Sequence, residues 1–314
     1  MPVGGIPARR QLRFGDVVLQ GIALVAAIGS ALLLALLAYK VVAQAWPAVR
    51  HFGLSFVWAY VWNPNSVVFG AASFIFGTVV TSFIALLLAT PLSIAIALFL
   101  TEIAPKRLRA PISTVVELLA AIPSVVLGLW GIIVFGPWLN ANLEPWLHGA
   151  FGFLPIFSGP TAPVGILPAS LILTIMIVPI ISSLCRELFS RVPHELADGS
   201  LALGSTRWEA IRRVVLPFAA PGIAAAMLLG LGRAFGEAIA VTQVIGGRTN
   251  ISASLFAPGD TLGSKIAASY QGAGTGLETQ SLLYLAAILM VISLLTNLAA
   301  QAVVGRFETA RRLQ

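Results

Sequence analysis

Residues 191–217 read RVPHELADGSLALGSTRWEAIRRVVLP, a polar and arginine-rich stretch between two long apolar runs. Its residue order predicts two helices joined by a turn. Pro193 suits the first turn of a helix, and Gly204 suits the left-handed residue that ends one. Thr206 and Glu209 have the spacing of a capping box, which predicts that the second helix begins directly after the glycine.

The second predicted helix is amphipathic. Trp208, Ile211 and Val215 recur at helical spacing and form an apolar face opposite the arginines. Pro217 is expected to close this helix and to open the next apolar run. The pattern alone leaves two explanations open: the element lies on a membrane surface with its arginines on lipid phosphates, or it docks to a partner protein.

The rest of the chain is strongly apolar. Of its 314 residues, 58% are hydrophobic and only 10% are charged, whereas a soluble domain carries about a quarter charged residues. The sequence therefore predicts an integral membrane protein. The one cysteine, Cys185, has no partner for an internal disulfide, and the three histidines lack metal-ligand spacing, so neither a redox nor a metal site is predicted.

Apolar runs long enough to cross about 30 Å of hydrocarbon occur six times. They lie near residues 17–39, 67–100, 112–138, 164–185, 218–245 and 281–304. The first is predicted to be a retained span, because it exceeds the apolar core of a signal peptide and lacks a convincing cleavage site. The second is too long for one upright helix, so it either bends at Pro91 and crosses once, or crosses twice.

The distribution of lysine and arginine favours one crossing. With six spans and both termini cytoplasmic, 14 of the 19 basic residues fall in cytoplasmic segments: Arg9, Arg10, Arg13, Lys106, Arg107, Arg109, Arg186, Arg191, Arg207, Arg212, Arg213, Arg306, Arg311 and Arg312. A double crossing would move the later clusters outside, against the positive-inside tendency. The net charge of +7 is therefore attributed to sidedness rather than to nucleic-acid binding. The predicted domains are a cytoplasmic segment (1–16), a transmembrane domain (17–305) and a cytoplasmic tail (306–314).

The fifth apolar run contains an arginine and a glutamate, in GLGRAFGEAIAVT (230–242). On a continuous helix Arg233 and Glu237 would project from one face. A charge at membrane depth usually faces the bundle interior or an aqueous path. Two roles fit the spacing: an ion pair that fixes the fifth span against its neighbours, or a site for a solute.

The 191–217 loop resembles the EAA loop of the permease subunits of ATP-binding-cassette importers, in which glutamate-alanine-alanine is followed by a glycine and then by isoleucine-any-leucine-proline. Asp198, Gly199 and Ser200 stand at the EAA positions, and Gly204 is the glycine. The resemblance implies that the loop docks a separate ATPase. The residues assigned to this docking loop are Asp198, Gly199, Ser200, Gly204, Thr206, Trp208, Ile211, Leu216 and Pro217.

Four further segments resemble the PstC type of phosphate permease: GTVVTSFIALLLATPLSIAIALFLTE (77–102), ELLAAIPSVVLGLWG (117–131), GLGRAFGEAIAVTQVIG (230–246) and LFAPGDTLGSKIA (255–267). The resemblance implies an all-α fold, the MetI-like ABC importer permease fold with six transmembrane helices, in the bacterial cytoplasmic membrane. It implies as partners a PstA-type permease, two PstB-type ATPases and an extracytoplasmic PstS-type phosphate-binding protein. It also implies phosphate as the solute.

Because the sequence contains no G-x-x-x-x-G-K-[ST] loop, ATP and Mg are expected on the partner ATPase. The chain is expected to be a transport subunit rather than an enzyme, with no cofactor of its own, and to work by alternating access. Under the resemblance, Arg233 lines the path and its planar fork matches two phosphate oxygens. Glu237 orients the arginine and accepts a hydrogen bond from the P–OH group, which sulfate lacks. A permease for sulfate, molybdate or phosphonate is the nearest alternative, and an ion-coupled carrier is a more distant one.

The sequence also predicts the surroundings of three other charged residues. Glu117, near the inner end of the third run, either pairs with cytoplasmic arginines or faces the interface with a second permease. Asp260 and Lys265 are expected in a solvated loop, where contact with the binding protein is the alternative.

Overall fold

The computed structural model describes residues 14–274 and 276–312, so Arg9, Arg10 and Arg13, used above to predict sidedness, lie outside the described residues. The α-helices are Phe14–Phe52, Ser55–Trp58, Ala72–Leu98, Lys106–Ala121, Ser124–Trp130, Gly136–Trp138, Glu144–Phe151, Ile166–Ser190, His194–Ala202, Arg207–Ala210, Leu216–Gly236, Ile239–Val244, Leu262–Ser269 and Gly276–Arg312. The π segments are Phe99–Ile103, Gly131–Phe135, Leu139–Leu143 and Ile211–Val215, and Pro155–Phe157 is a 3₁₀ turn. This composition confirms the predicted all-α class.

Within the described residues, six helices are long and apolar enough to cross a membrane. We number them spans one to six: Val18–Phe52, Ala72–Ile103, Ser124–Phe151, Ile166–Ser190, Arg207–Gly236 and Gly276–Ala299. Span two is one uninterrupted helix with Pro91 inside it. Its long apolar run therefore crosses once, as the distribution of basic residues predicts.

The predicted limits of the third run, 112–138, are wrong. The chain leaves the helical conformation at Ile122 and Pro123, whose ψ angles are 125° and 138°. Proline disfavours helical backbone in the residue before it and lacks an N–H for the helix ladder. Lys106–Ala121 is therefore a separate helix, with no residue fully buried, and span three begins only after the break.

Span four is the centre of the bundle. Most of its apolar window is buried, whereas the window of span one contains no buried residue. Span four packs against spans two and five and against the helix Lys106–Ala121, and Ile172, Ile177 and Ile181 are fully buried in its contacts. Span one packs along span six, so this chain alone covers little of its surface.

At the end of the bundle opposite the 191–217 loop, the connection between spans five and six folds back into the protein. Its helix Leu262–Ser269 packs against Ile239–Val244 and against spans two and six. The backbone N–H of Leu262 donates to Thr78 Oγ1 of span two at 2.9 Å. A Cβ on Gly77 would lie 2.0 Å from the carbonyl oxygen of Asp260, so glycine is required there for the two segments to approach.

Candidate functional site

Arg233 and Glu237 do not share a helix, so the prediction that they project from one face is wrong. The helix of span five ends at Gly236, and Glu237 has extended backbone with ψ 119°. Glu237 Oε1 instead accepts a hydrogen bond from the backbone N–H of Ala240 at 3.2 Å. Two salt bridges join described residues, Arg186 to Glu117 and Arg191 to Glu187, and neither contains Arg233 or Glu237.

The break has a packing cause. Ile239–Val244 is a separate helix, and its residues Ala240, Val241 and Val244 are buried in the main core. The helix Leu262–Ser269 contacts the break directly, because a Cβ on Gly263 would lie 3.1 Å from the carbonyl oxygen of Glu237. Non-helical backbone at membrane depth is tolerated where protein covers it or a water-filled cavity adjoins it. Glycine followed by a capping acid was the sequence signal for this break.

Arg233 therefore lies in the last turn of the long helix of span five, where the helix dipole favours a cation. Its side chain is exposed on this chain, as is that of Leu229, 59% exposed one turn earlier. The packed face lies beside it: a Cβ on Gly230, three residues before Arg233, would lie 2.7 Å from Ile181 Cδ1 of span four. The arginine thus lies at the edge of the face that span five packs against span four.

A groove continues along the face of Leu229 toward the 191–217 loop. It lies between spans four and five, with a volume of about 280 Å³, and is lined by Leu184, Glu187, Leu188, Arg191, Gly222, Ala225, Ala226 and Leu229. Its floor on span five is made of small residues, whereas its far end carries the ion pair of Arg191 and Glu187. The exposed side of span five therefore has a guanidinium at one end and a polar mouth at the other.

The helix–turn–helix of the 191–217 loop is confirmed. His194–Ala202 forms the first helix, and Gly204 has a left-handed φ of +89°. Thr206 Oγ1 accepts from the N–H of Glu209 at 3.3 Å, and Glu209 Oε2 accepts from the N–H of Thr206 at 2.8 Å. This reciprocal pair is the predicted capping box.

Two details of the second helix differ from the prediction. Pro217 does not close it, because Arg207–Gly236 is continuous and Pro217 lies in the first turn of the α-helical part that follows the π segment Ile211–Val215. The predicted apolar face is also divided. Ile211 and Val215 are buried in the core, whereas Trp208 is 62% exposed, since a π segment shifts the phase of the residues on either side of it.

The turn presents apolar side chains to the outside. Leu203, 91% exposed, precedes Gly204, and Trp208 follows within one turn of helix. The hydroxyls of Ser200 and Ser205 are 2.6 Å apart, which ties the turn together. Asp198 and Gly199 are exposed on the first helix. Leu203 is not among the residues predicted for the docking loop, although a leucine directly before a helix-ending glycine was the available signal.

Glu117 pairs with an arginine, one of the two expectations for it. Arg186 donates to Glu117 Oε1 at 2.9 Å, and Ser113 donates to the same oxygen at 2.8 Å. The hydrogen bonds from Arg186 and Ser113 lower the pKa of Glu117 below its usual value. This contact ties the helix Lys106–Ala121 to span four.

Asp260 does not lie in a solvated loop, contrary to the expectation. It is 5% exposed, and its Oδ1 accepts from the N–H of Thr261 at 2.9 Å and from the hydroxyl of Ser264. Burial raises the pKa of Asp260, although these hydrogen bonds oppose the change. Lys265 is partly covered as well, with its Nζ 5.1 Å from the ring centre of Trp62.

Comparison with known proteins places these features in a family. Residues 89–309 match the family described as binding-protein-dependent transport system inner membrane component. A phosphate transport system permease protein PstC from Mesorhizobium japonicum is 42% identical over 95% of this chain and 93% of its own length. One from Pasteurella multocida is 41% identical over 88% of both chains.

Two solved structures have a similar fold. A chain of a bacterial alginate ABC transporter, solved with an alginate pentasaccharide-bound periplasmic protein, has a TM-score of 0.60 and 18% identity, over 94% of this chain and 99% of its own. A chain of the MetNI methionine ABC transporter in an inward-facing conformation has a TM-score of 0.54 and 19% identity, over 74% of this chain and 94% of its own. At these identities the likeness shows the fold alone, and that fold is the predicted MetI-like permease fold.

Proposed function

The chain belongs to the binding-protein-dependent transport system inner membrane components and, among them, to the PstC phosphate permeases, and from this premise we propose that it carries inorganic phosphate into the cytoplasm. The observation that carries the proposal is the 42% identity to a PstC permease over 95% of the chain. The likeness covers nearly the full length of both proteins, so it includes every span and the 191–217 loop.

Arg233 is the residue proposed to meet the solute. It is exposed on span five, in the last turn before a helix break, and it belongs to neither salt bridge found in the described residues. An unpaired guanidinium at membrane depth is stable only against an aqueous path or a partner. Its planar fork can donate two parallel hydrogen bonds to a phosphate.

Glu237 has a different role from Arg233 in this arrangement. Its Oε1 accepts a hydrogen bond from the N–H of Ala240, in the first turn of the helix Ile239–Val244, so the carboxylate is held at the break just beyond Arg233 without neutralising it. Its Oε2 stays available to accept a hydrogen bond from a P–OH group. Glu237 is therefore the group proposed to discriminate hydrogen phosphate from sulfate, and it is not the ion-pair partner of the arginine.

The 191–217 loop is proposed to dock the ATPase. Leu203 and Trp208 expose apolar surface at the turn, beside a glycine whose conformation most other residues resist. Because the helix is continuous from Arg207 to Gly236, a movement of the loop also moves Arg233, which lies on the same helix. This provides a physical route for alternating access, driven by ATP and Mg on the partner.

The proposed assembly contains a PstA-type permease, two PstB-type ATPases and a PstS-type binding protein, with the 191–217 loop and both termini of this chain on the cytoplasmic side. The exposed face of Leu229 and Arg233 is open to the second permease. Transport then proceeds past Arg233 and along the groove of small residues on span five, which leads to the cytoplasmic end.

The test is uptake by the assembled importer in proteoliposomes, with phosphate and sulfate compared as stimulators of ATP hydrolysis. Phosphate should stimulate hydrolysis and accumulate inside. Arg233→Ala should lower uptake by about a hundredfold, since two charge-assisted hydrogen bonds of about 1.5 kcal/mol each are lost. Arg50→Ala, an exposed arginine on span one, is the control. Stimulation by sulfate, or wild-type uptake by assembled Arg233→Ala complexes, would contradict the proposal.

A further inference from the structure

A polar pocket lies at the end of the bundle opposite the 191–217 loop. One wall is formed by residues 155–162, which follow span three, and the other by residues of the stretch 248–258, which follows the helix Ile239–Val244. Its volume is about 570 Å³. Since a water molecule occupies about 30 Å³ in the liquid, the pocket holds a small hydrated ion with room to spare.

Backbone hydrogen bonds hold the two walls together. The N–H of Leu255 donates to the carbonyl of Ile156 at 2.9 Å, which joins one wall to the other. The N–H of Ile166 donates to the carbonyl of Ala257 at 3.1 Å, and the N–H of Arg248 donates to the carbonyl of Gly259 at 3.0 Å. The pocket is therefore part of the folded structure.

The charge of the pocket is positive. Of the described residues that line it, Arg248 alone is charged. It is exposed, and both salt bridges of the described chain lie elsewhere. A cation at the pocket without a lining carboxylate attracts anions and repels cations.

Two serine hydroxyls of the pocket are oriented as donors. Ser252 Oγ accepts from the N–H of Ser254 at 3.1 Å, and Ser254 Oγ accepts from the N–H of Phe256 at 3.3 Å. In the described structure neither hydroxyl donates to a protein acceptor. Because each oxygen already accepts a backbone N–H, the hydroxyl proton is left to be donated. Arg248, Ser252 and Ser254 together therefore offer the pocket a guanidinium and two hydroxyl donors.

We propose that this pocket is an entry site for inorganic phosphate, where Arg248 and the hydroxyls of Ser252 and Ser254 receive the oxyanion on the outer side before it reaches Arg233. The inference rests on the proposed function, which supplies the solute and the sidedness. The guanidinium and the two hydroxyls suit any tetrahedral oxyanion, and discrimination against sulfate is left to the break at Glu237.

The experiment measures binding of radiolabelled inorganic phosphate by equilibrium dialysis to the assembled permease–ATPase complex without the binding protein. Arg248→Gln should raise the half-saturating phosphate concentration about tenfold, because a charge-assisted hydrogen bond to the oxyanion is lost. The double variant Ser252→Ala/Ser254→Ala should weaken binding in the same direction. Arg248→Lys should retain part of it. Arg50→Gln, at another exposed arginine, should bind as wild type.

The outcomes separate this inference from the proposed function. If Arg248→Gln complexes bind phosphate as wild type does, the pocket is not a phosphate site. Phosphate uptake by the unaltered importer would still support the proposed function in that case. A parallel co-purification with added phosphate-free binding protein tests the alternative: if Arg248→Gln complexes lose that protein and still bind phosphate as wild type does, Arg248 pairs with a carboxylate of the binding protein and the pocket is overturned. Binding that persists in Arg233→Ala and is lost in Arg248→Gln supports the pocket as a site of its own.

Discussion

Asp260 shows how the surroundings of one residue decide its chemistry. It lies between two spans in sequence, yet it is buried against span two, with both hydrogen bonds received by Oδ1. Burial raises the pKa of its carboxyl group, so the folded protein holds this proton more tightly than the unfolded chain does. Its contribution to stability is therefore fully present below the pKa of an unfolded aspartate, about 3.9, and is lost as the pH rises through the raised value.

We expect Asp260→Asn to flatten this pH dependence. The asparagine Oδ1 keeps the hydrogen bonds from Thr261 and Ser264, whereas the buried charge is gone. The Tm of the variant should match wild type in acid and exceed it at neutral pH. Thermal unfolding followed by tryptophan fluorescence across this range checks the expectation. If the Tm of the two proteins changed with pH in the same way, the carboxyl group of Asp260 would not be desolvated.

At the scale of elements, close contact between segments of backbone decides where the chain folds back into the bundle. Gly77 on span two allows the segment before the helix Leu262–Ser269 to enter the bundle, because any side chain there meets the Asp260 carbonyl. The same helix then covers the break after Gly236, beyond Arg233. The packing of one short helix thus positions the end of the span-five helix, which carries Arg233.

We expect Gly77→Ala to destabilise the protein by about 1–3 kcal/mol, the usual cost of overpacking. Gly149→Ala is the matched control, because its Cβ meets nothing within 4 Å and its backbone is helical. Chemical unfolding of the purified protein measures both. Equal midpoints for Gly77→Ala and wild type would mean that the two segments separate without cost.

The glycine at the turn of the 191–217 loop can be tested in the same way. A Cβ at Gly204 would meet nothing within 4 Å, so its φ of +89° is the whole cost of Gly204→Ala, about 1–2 kcal/mol. Gly149→Ala, on a helix with open space at the opposite end of the bundle, is again the control. We expect the amount of phosphate taken up per ATP hydrolysed to fall in Gly204→Ala and to stay at the wild-type value in the control. If this amount is unchanged in Gly204→Ala, the turn does not couple ATP hydrolysis to transport.

At the scale of the whole molecule, the surface of the chain is covered unevenly. Span four is enclosed, whereas span one and the Arg233 face of span five are open, which agrees with the proposed association with a second permease. The two ends differ in kind. One end carries the exposed turn of Leu203 and Trp208, and the other carries the donor-lined pocket at Arg248.

We expect Leu203→Asp to abolish association with the ATPase while membrane insertion and association with the second permease persist. A charge in an apolar contact leaves an unpaired, desolvated carboxylate. Phe153→Asp is the control, since Phe153 is 79% exposed at the opposite end. Co-purification of the ATPase with each variant measures the effect. Retention of the ATPase by Leu203→Asp would place docking elsewhere.

The sequence by itself determined the membrane class, the number of spans, and the turn of the 191–217 loop with its capping box. These depend on properties local to the chain: hydrophobic length, the distribution of lysine and arginine, and residue types at helix ends. The same local features led to the family. They did not indicate the limits of the third and fifth spans, because apolar composition continues across both breaks.

Only the tertiary structure decided which side chains meet. Arg233 and Glu237 are four residues apart, but a helix packed against the break separates them into different elements. Asp260 is polar in sequence and buried in the fold, and the Arg248 pocket joins two connections about ninety residues apart. Such juxtapositions depend on contacts between distant segments, which no local periodicity encodes.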